Sequence, residues 1–217
     1  MTKTGEAARP MPTIEPENFA ETWLIYKKQI IIGAIVVAAA AGGLMLWSRS
    51  GQIREARAGT AFQGAESTFL SGNKFLAQPE LEKISTRYRG TTAGTQATML
   101  IAQVLFEQGQ YVEGIAQLEA IVGGAPRALR SGIRALIGAG LESTGKPAEA
   151  AAAFATAASD AAFPNDRDMH LMEQARNLGS SNDISGATKL YDAIALREDS
   201  PFAGEAKVRR GELIAKP

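Results

Sequence analysis

The sequence contains no cysteine and one histidine, His170, among 217 residues. The first absence removes disulfides, zinc–thiolate sites, thiol catalysis and covalent haem attachment through C-x-x-C-H. The second removes arrangements that need two imidazoles, H-E-x-x-H among them. Net charge is lacking too, since Lys plus Arg is 23 and Asp plus Glu is 23. No basic stripe shows along the chain, so nucleic acid has no electrostatic footprint in it. Aromatics are few at 6%, and strand-type alternation is nearly absent, whereas alanine and glycine are abundant. That composition favours closely packed helices over a β-sandwich. No G-x-G-x-x-G or phosphate loop occurs; Gly123-Gly124 follows a helical pattern and reads as its C-terminal stop. These absences point away from an enzyme, a cofactor, a metal site, a small-molecule substrate or a nucleic-acid partner.

What is present begins with an apolar run from Ile30 to Trp47 that carries no charge. Eighteen residues rising ~1.5 Å each make roughly 27 Å of helix, close to a ~30 Å hydrocarbon core. Lys27 and Lys28 precede the run, and Ser48, Arg49 and Ser50 follow it. Trp23, Tyr26 and Trp47 sit where amphipathic aromatics favour a membrane interface. The run reads as one transmembrane helix, residues 30–47. A buried core helix is rarely uncharged over such a length. A cleaved signal peptide could use the small residues Ala38 to Ala41, but the tail is long for its basic n-region and the run continues through Leu44, Met45 and Leu46.

The tail, residues 1–29, holds Pro10, Pro12 and Pro16 and reads as extended or disordered at its start. Asn18 with Glu21 three residues on could cap a helix, and Phe19, Trp23, Tyr26 and Ile30 follow at helical spacing. That segment is either a short interfacial helix or the first turns of the span. Lys27 and Lys28 on one side balance Arg49, Arg54 and Arg57 on the other, so charge leaves orientation open. Within the span, Ala34, Ala38 and Gly42 recur every four residues with Ala39 and Gly43 beside them. Such small residues either fill an undemanding span or let a partner's transmembrane helix pack closely.

Residues 51–217 show internal repetition, the first feature to seek in an all-α pattern. Breaks at Gly109, Gly145 and Asn182 are separated by 36 and 37 residues. Seven residues before each stand Ala102, Gly138 and Ala175; five after stand Gly114, Ala150 and Ala187; nine after stand Leu118, Phe154 and Tyr191. Small residues thus face large ones at fixed offsets, as two helices crossing closely require. The chain here resembles the tetratricopeptide repeat (TPR) family of helix–turn–helix units. Gly109-Gln-Tyr111 followed by Pro126 is its best unit. A degenerate first unit runs from about Ile53 to Tyr88 with Gly72-Asn73 at its turn, and a helix from about Phe202 to Ala215 caps the stack. The expected fold is therefore all-α: one N-terminal transmembrane helix, then a TPR-like α-solenoid of three to four helix pairs plus a capping helix.

The layout, including Arg54 to Phe62 just after the span, is similar to the membrane-anchored, TPR-like ancillary subunits of the bacterial SecYEG translocon, the YfgM type. That resemblance implies a bacterial inner-membrane protein with a cytoplasmic N-terminus and a periplasmic domain contacting translocon-associated chaperones. The alternative is a structural accessory subunit of a large respiratory or photosynthetic membrane complex.

The candidate surface lies on the first helices of each pair, which line the concave face in a TPR stack. Inward positions there are Gln96, Met99, Gln103, Phe106, Met169, Met172 and Arg176. Met side chains can repack against varied partners. The basic and Asn row that grips a partner's C-terminal carboxylate is replaced by Met99, Ala135 and Met172. His170, with Asp166 and Asp168 before it, reads as structural or surface; ligation of a haem or pigment is the alternative. Two alternating acids fall short of a calcium loop.

Overall fold

The structure, a computed structural model, describes residues 16–215. The tail reading that falls on residues 1–15 lies outside them. Two compact units divide between Gly51 and Gln52. Nine helices occur among the described residues: α1 (Pro16–Leu70), α2 (Lys74–Arg87), α3 (Thr92–Glu107), α4 (Tyr111–Val122), α5 (Arg127–Ser143), α6 (Pro147–Asp160), α7 (Pro164–Ser180), α8 (Ile184–Ala195) and α9 (Ala203–Ala215).

In the first unit, α1 begins at Pro16, two residues before the expected Asn18 cap. Proline suits a first helical position because its fixed φ and missing N–H cost nothing there. No break separates residues 17–29 from the apolar run, so that segment is the opening turns of one long helix. From Ile31 onward α1 carries an 18-residue window of mean hydropathy 2.1 with none of it buried. It is long and apolar enough to cross a membrane.

The second unit is a TPR-like solenoid. Residues 52–70 of α1 pair with α2, then α3 with α4, α5 with α6 and α7 with α8, and α9 closes the stack. The turns within pairs fix the repeat. Gly72, Gly109 and Gly145 have φ of +89°, +76° and +74°, and Asn182 has +70°. Glycine enters this left-handed region freely, and asparagine is among the few side chains that tolerate it. The small and large positions around these turns are the core: Ala102, Ala175, Ala150, Ala187 and Leu118 are fully buried, and Phe154 and Tyr191 nearly so. The same offsets counted from Gly72 give Ala65, Ala77 and Leu81, all buried. The first repeat is therefore regular, not degenerate.

Packing follows from these sizes. A Cβ on Gly138 would lie 2.9 Å from the Phe154 ring, so α5 and α6 approach only because Gly138 has none. Apolar side chains of α1, α2 and α3 (Phe62, Phe69, Leu81, Ile84, Ile101) form one cluster. Ile115, Leu118, Ile133 and Ile137 of α4 and α5 form the next. Met172, Tyr191, Ile194 and Ala206 of α7, α8 and α9 form the third. Each buried Leu or Ile contributes roughly 1.5–3 kcal/mol of transfer free energy. Side chains cap two helix starts, α3 and α8: Thr91 Oγ1 accepts from the Gly94 N–H at 3.0 Å, and Asp183 Oδ1 from the Gly186 N–H at 2.8 Å.

Candidate functional site

The first helices of successive pairs, α3, α5 and α7, carry the candidate surface. Their faces are set by the small core residue of each. Met99 and Phe106 lie three residues before and four after Ala102, and Met172 lies three before Ala175, so all three share the core-facing side. Phe106 accordingly packs on Gly114 and Gly140 and beside Tyr111, ring centroids 5.7 Å apart. Met99 Cε lies against Gly132, and Met172 is buried in the third cluster. Gln103 and Arg176, each one residue past the small position, turn outward: Gln103 is half-buried and Arg176 exposed. Met169 is 42% exposed, which leaves it the most open apolar residue of the set.

Arg176 is not a free cation. Its Nη2 donates to Glu142 Oε2 at 2.7 Å, its Nη1 to Glu142 Oε1, and its Nε to Glu173 Oε2 at 3.0 Å. The hydrogen bonds from Arg176 hold the Glu142 carboxyl below the usual carboxylate range, and the guanidinium is held charged in return. Asn177 Nδ2 donates to the Glu173 carbonyl at 3.0 Å, while its buried Oδ1 has no partner among the described residues. Two acids and one arginine make this trio net acidic. Glu142 and Arg176 stand 34 residues apart, about one repeat, so opposite charges at repeat spacing were the signal that sequence reading passed over.

His170 is buried between repeats. Ser131 Oγ donates to the Ala157 carbonyl at 2.9 Å, which uses its one proton. The 3.0 Å contact with His170 Nε2 therefore has the imidazole N–H donating to Oγ. Burial lowers the His170 pKa despite the opposing fields of Asp166 and Glu173. The ring is thus a neutral structural element bonding α7 to α5. Because the folded pKa is below the unfolded one, the unfolded chain binds the proton more tightly. The stability His170 gives is present above its unfolded pKa of about 6.5 and is lost as pH falls through the folded value. His170→Gln, which keeps a donor to Ser131, should flatten the melting temperature between pH 7 and 5 relative to the parent, as calorimetry at stepped pH would show. An unchanged pH profile would remove His170 from that role.

Among the described residues no group of three or more His, Asp or Glu side chains is arranged to hold a metal ion. In the first unit, Ala34, Ala38 and Gly42 are exposed, and a Cβ on Gly42 would touch nothing within 4 Å. Nothing among the described residues covers that row of small residues.

A tetratricopeptide repeat-like domain model matches residues 21–169, a range that takes in the apolar run as well as the first repeats. Among solved structures, the chain is similar to the nearly identical TPR-like repeats of a Podosopora anserina protein assigned as a kinesin light chain. Identity is 16%, with 74% of this chain and 91% of that one covered and a TM-score of 0.55. A form of the same repeats carrying a methionine substitution aligns with the same values. At such identity the likeness is one of fold. No curated protein sequence matches the chain.

Proposed function

Because the chain belongs to the tetratricopeptide repeat-like domain family, a fold that generally mediates protein–protein interaction, we propose that it is a non-catalytic scaffold anchored in a membrane by α1. The observation that carries this reading is one helix holding a wholly exposed apolar stretch and the first helix of a repeat stack. The anchor supplies location, and the α3, α5 and α7 face supplies a broad surface for protein partners, with Met169 and Arg176 its exposed positions and Gln103 half-buried. Met99, Phe106 and Met172 act from behind, by holding that face in shape.

The finer reading is an ancillary subunit at the periplasmic face of a bacterial inner membrane, associated with the translocon and its chaperones. It is supported by the order of elements: short tail, one apolar stretch, TPR-like domain. The row Ala34, Ala38 and Gly42, uncovered among the described residues, favours a second reading as a structural subunit packed against the transmembrane helices of a large complex. A mild-detergent pull-down of the full-length protein from its native membrane, quantified by mass spectrometry, separates them. Translocon subunits and chaperones below unit stoichiometry support the first; one large complex in fixed ratio supports the second. Replacing Ala34, Ala38 and Gly42 together by Leu should lower recovery of a membrane partner several-fold under either reading. Undiminished recovery would dismiss the docking row.

A further inference from the structure

Arginines of the first three repeats are scattered in sequence, but the fold brings several of them to the α2–α3 and α4–α5 connections. The α2–α3 and α4–α5 connections border a single cavity of about 390 Å³, whose lining includes Ser85, Thr86, Arg89, Gly90, Gly124 and Ala125. Arg54 Nη2 donates to the carbonyls of Arg87 at 3.4 Å and Arg89 at 3.0 Å, which fixes the start of the first repeat to this edge. Arg130 Nε donates to the Ala125 carbonyl at 3.0 Å, and the Arg87 guanidinium lies over the Tyr88 ring at 5.6 Å. Arg57, Arg87, Arg89 and Arg127 are exposed. None of Arg54, Arg57, Arg87, Arg89, Arg127 and Arg130 pairs with a carboxylate among the described residues. Of the later arginines, Arg134, Arg176, Arg197, Arg209 and Arg210 are paired and Arg167 is not. Carboxylates also border the edge: Glu55, whose Oε1 accepts from the Thr92 N–H at 2.9 Å, and the exposed Glu82, one turn before Ser85 and Thr86 on α2.

Resting on the anchored reading above, we infer that this edge binds anionic phospholipid headgroups, a lipid phosphate seating at the cavity mouth beside Arg89 with Arg87, Arg127 and Arg130 around it. Three observations carry this. The unpaired guanidiniums sum to a local positive field on a chain that is neutral as a whole, and phosphate matches the guanidinium fork. The cavity adds the Thr86 side chain as polar lining, while the Ser85 hydroxyl donates to the Glu82 carbonyl at 3.0 Å. Arg54 also follows Trp47 by seven residues. Seven residues span at most about 25 Å, so the chain length alone tethers Arg54 within that distance of Trp47. A soluble polyanion needs no such tether; a headgroup does.

The test uses the full-length protein in bilayer nanodiscs of phosphatidylcholine alone or with phosphatidylglycerol as the minor component. The readout is amide hydrogen exchange over residues 84–94 and 122–131. Each arginine near an anionic surface adds about fivefold to binding, so exchange should slow about tenfold or more in the anionic discs and recover at high salt. R87Q/R89Q/R127Q, which changes exposed side chains, should abolish the protection with an unchanged melting temperature. Equal exchange in both lipid compositions would overturn the inference, as would protection retained in the triple variant. Equal protection by inorganic phosphate added to phosphatidylcholine discs would overturn it in favour of a free-anion site. Failure of the chain to enter discs, read separately by co-elution, would overturn this inference together with the anchored reading.

Discussion

Phe154→Ala should destabilise the repeat domain by about 3–5 kcal/mol, the cost of emptying a buried aromatic site that its surroundings refill only in part. Phe154 is 4% exposed and its ring lies on Gly138, where a Cβ would leave it no room. Against a total stability on the order of 5–15 kcal/mol, that loss should lower the melting temperature by about 10 °C. Gly138→Leu alone should also destabilise, by about 1–3 kcal/mol, because the new side chain meets the ring. The two together exchange the large and small partners across the helix pair. The double variant should therefore be more stable than the sum of the single losses requires, by about 1 kcal/mol or more. Urea unfolding followed by far-ultraviolet circular dichroism measures all three. Strict additivity would mean that Gly138 and Phe154 do not form the contact on which the repeat depends.

Charging the span should have the largest effect on location. Arginine costs about 2.5–3.5 kcal/mol at the centre of an inserted helix, so Val37→Arg with Ala40→Arg costs about 5–7 kcal/mol together. Both positions fall in the exposed apolar stretch of α1, away from the repeat core. The parent should stay in the pellet after alkaline carbonate extraction, and the double variant should move to the soluble fraction or be degraded. The repeat domain should melt as before. Pelleting of parent and variant alike would mean that α1 does not anchor the chain by insertion.

The repeat architecture was legible because its markers are local. Gly109, Gly145 and Asn182 each close a turn that demands a positive φ, and the small and large residues around them lie within nine positions. Gly72 obeys the same rule, although its unit reads as degenerate in the sequence. Repeat offsets are the better guide, since they follow from how closely two helices cross. The surface was less legible. Met99, Phe106 and Met172 look available because they are large and lie on the first helices of their pairs, but their registers place them on the small residue's face. Arg176, one position further round, is exposed, whereas Gln103 is half-buried like Met99 and Phe106. Interactions between repeats escaped sequence reading for a different reason. Glu142–Arg176 and Ser131–His170 join residues 34 and 39 positions apart. The arginine edge draws on residues from 54 to 130, where no stripe shows until neighbouring repeats are superposed. The link from the apolar run to Pro16 was one of two open alternatives, because neither Asn18 nor the lysines at 27 and 28 stop a helix.

The central claim is a membrane-anchored scaffold that holds other proteins on its α3, α5 and α7 face. It is tested most directly by placing a photo-reactive amino acid at position 169 of the full-length chain and irradiating native membranes. Met169 is the most open apolar residue of the candidate surface, and its substitution disturbs little packing. Irradiation should give discrete crosslinked species, recovered in carbonate-washed membranes, each joining this chain to another protein. Irradiation that leaves the chain uncrosslinked in those membranes would contradict it.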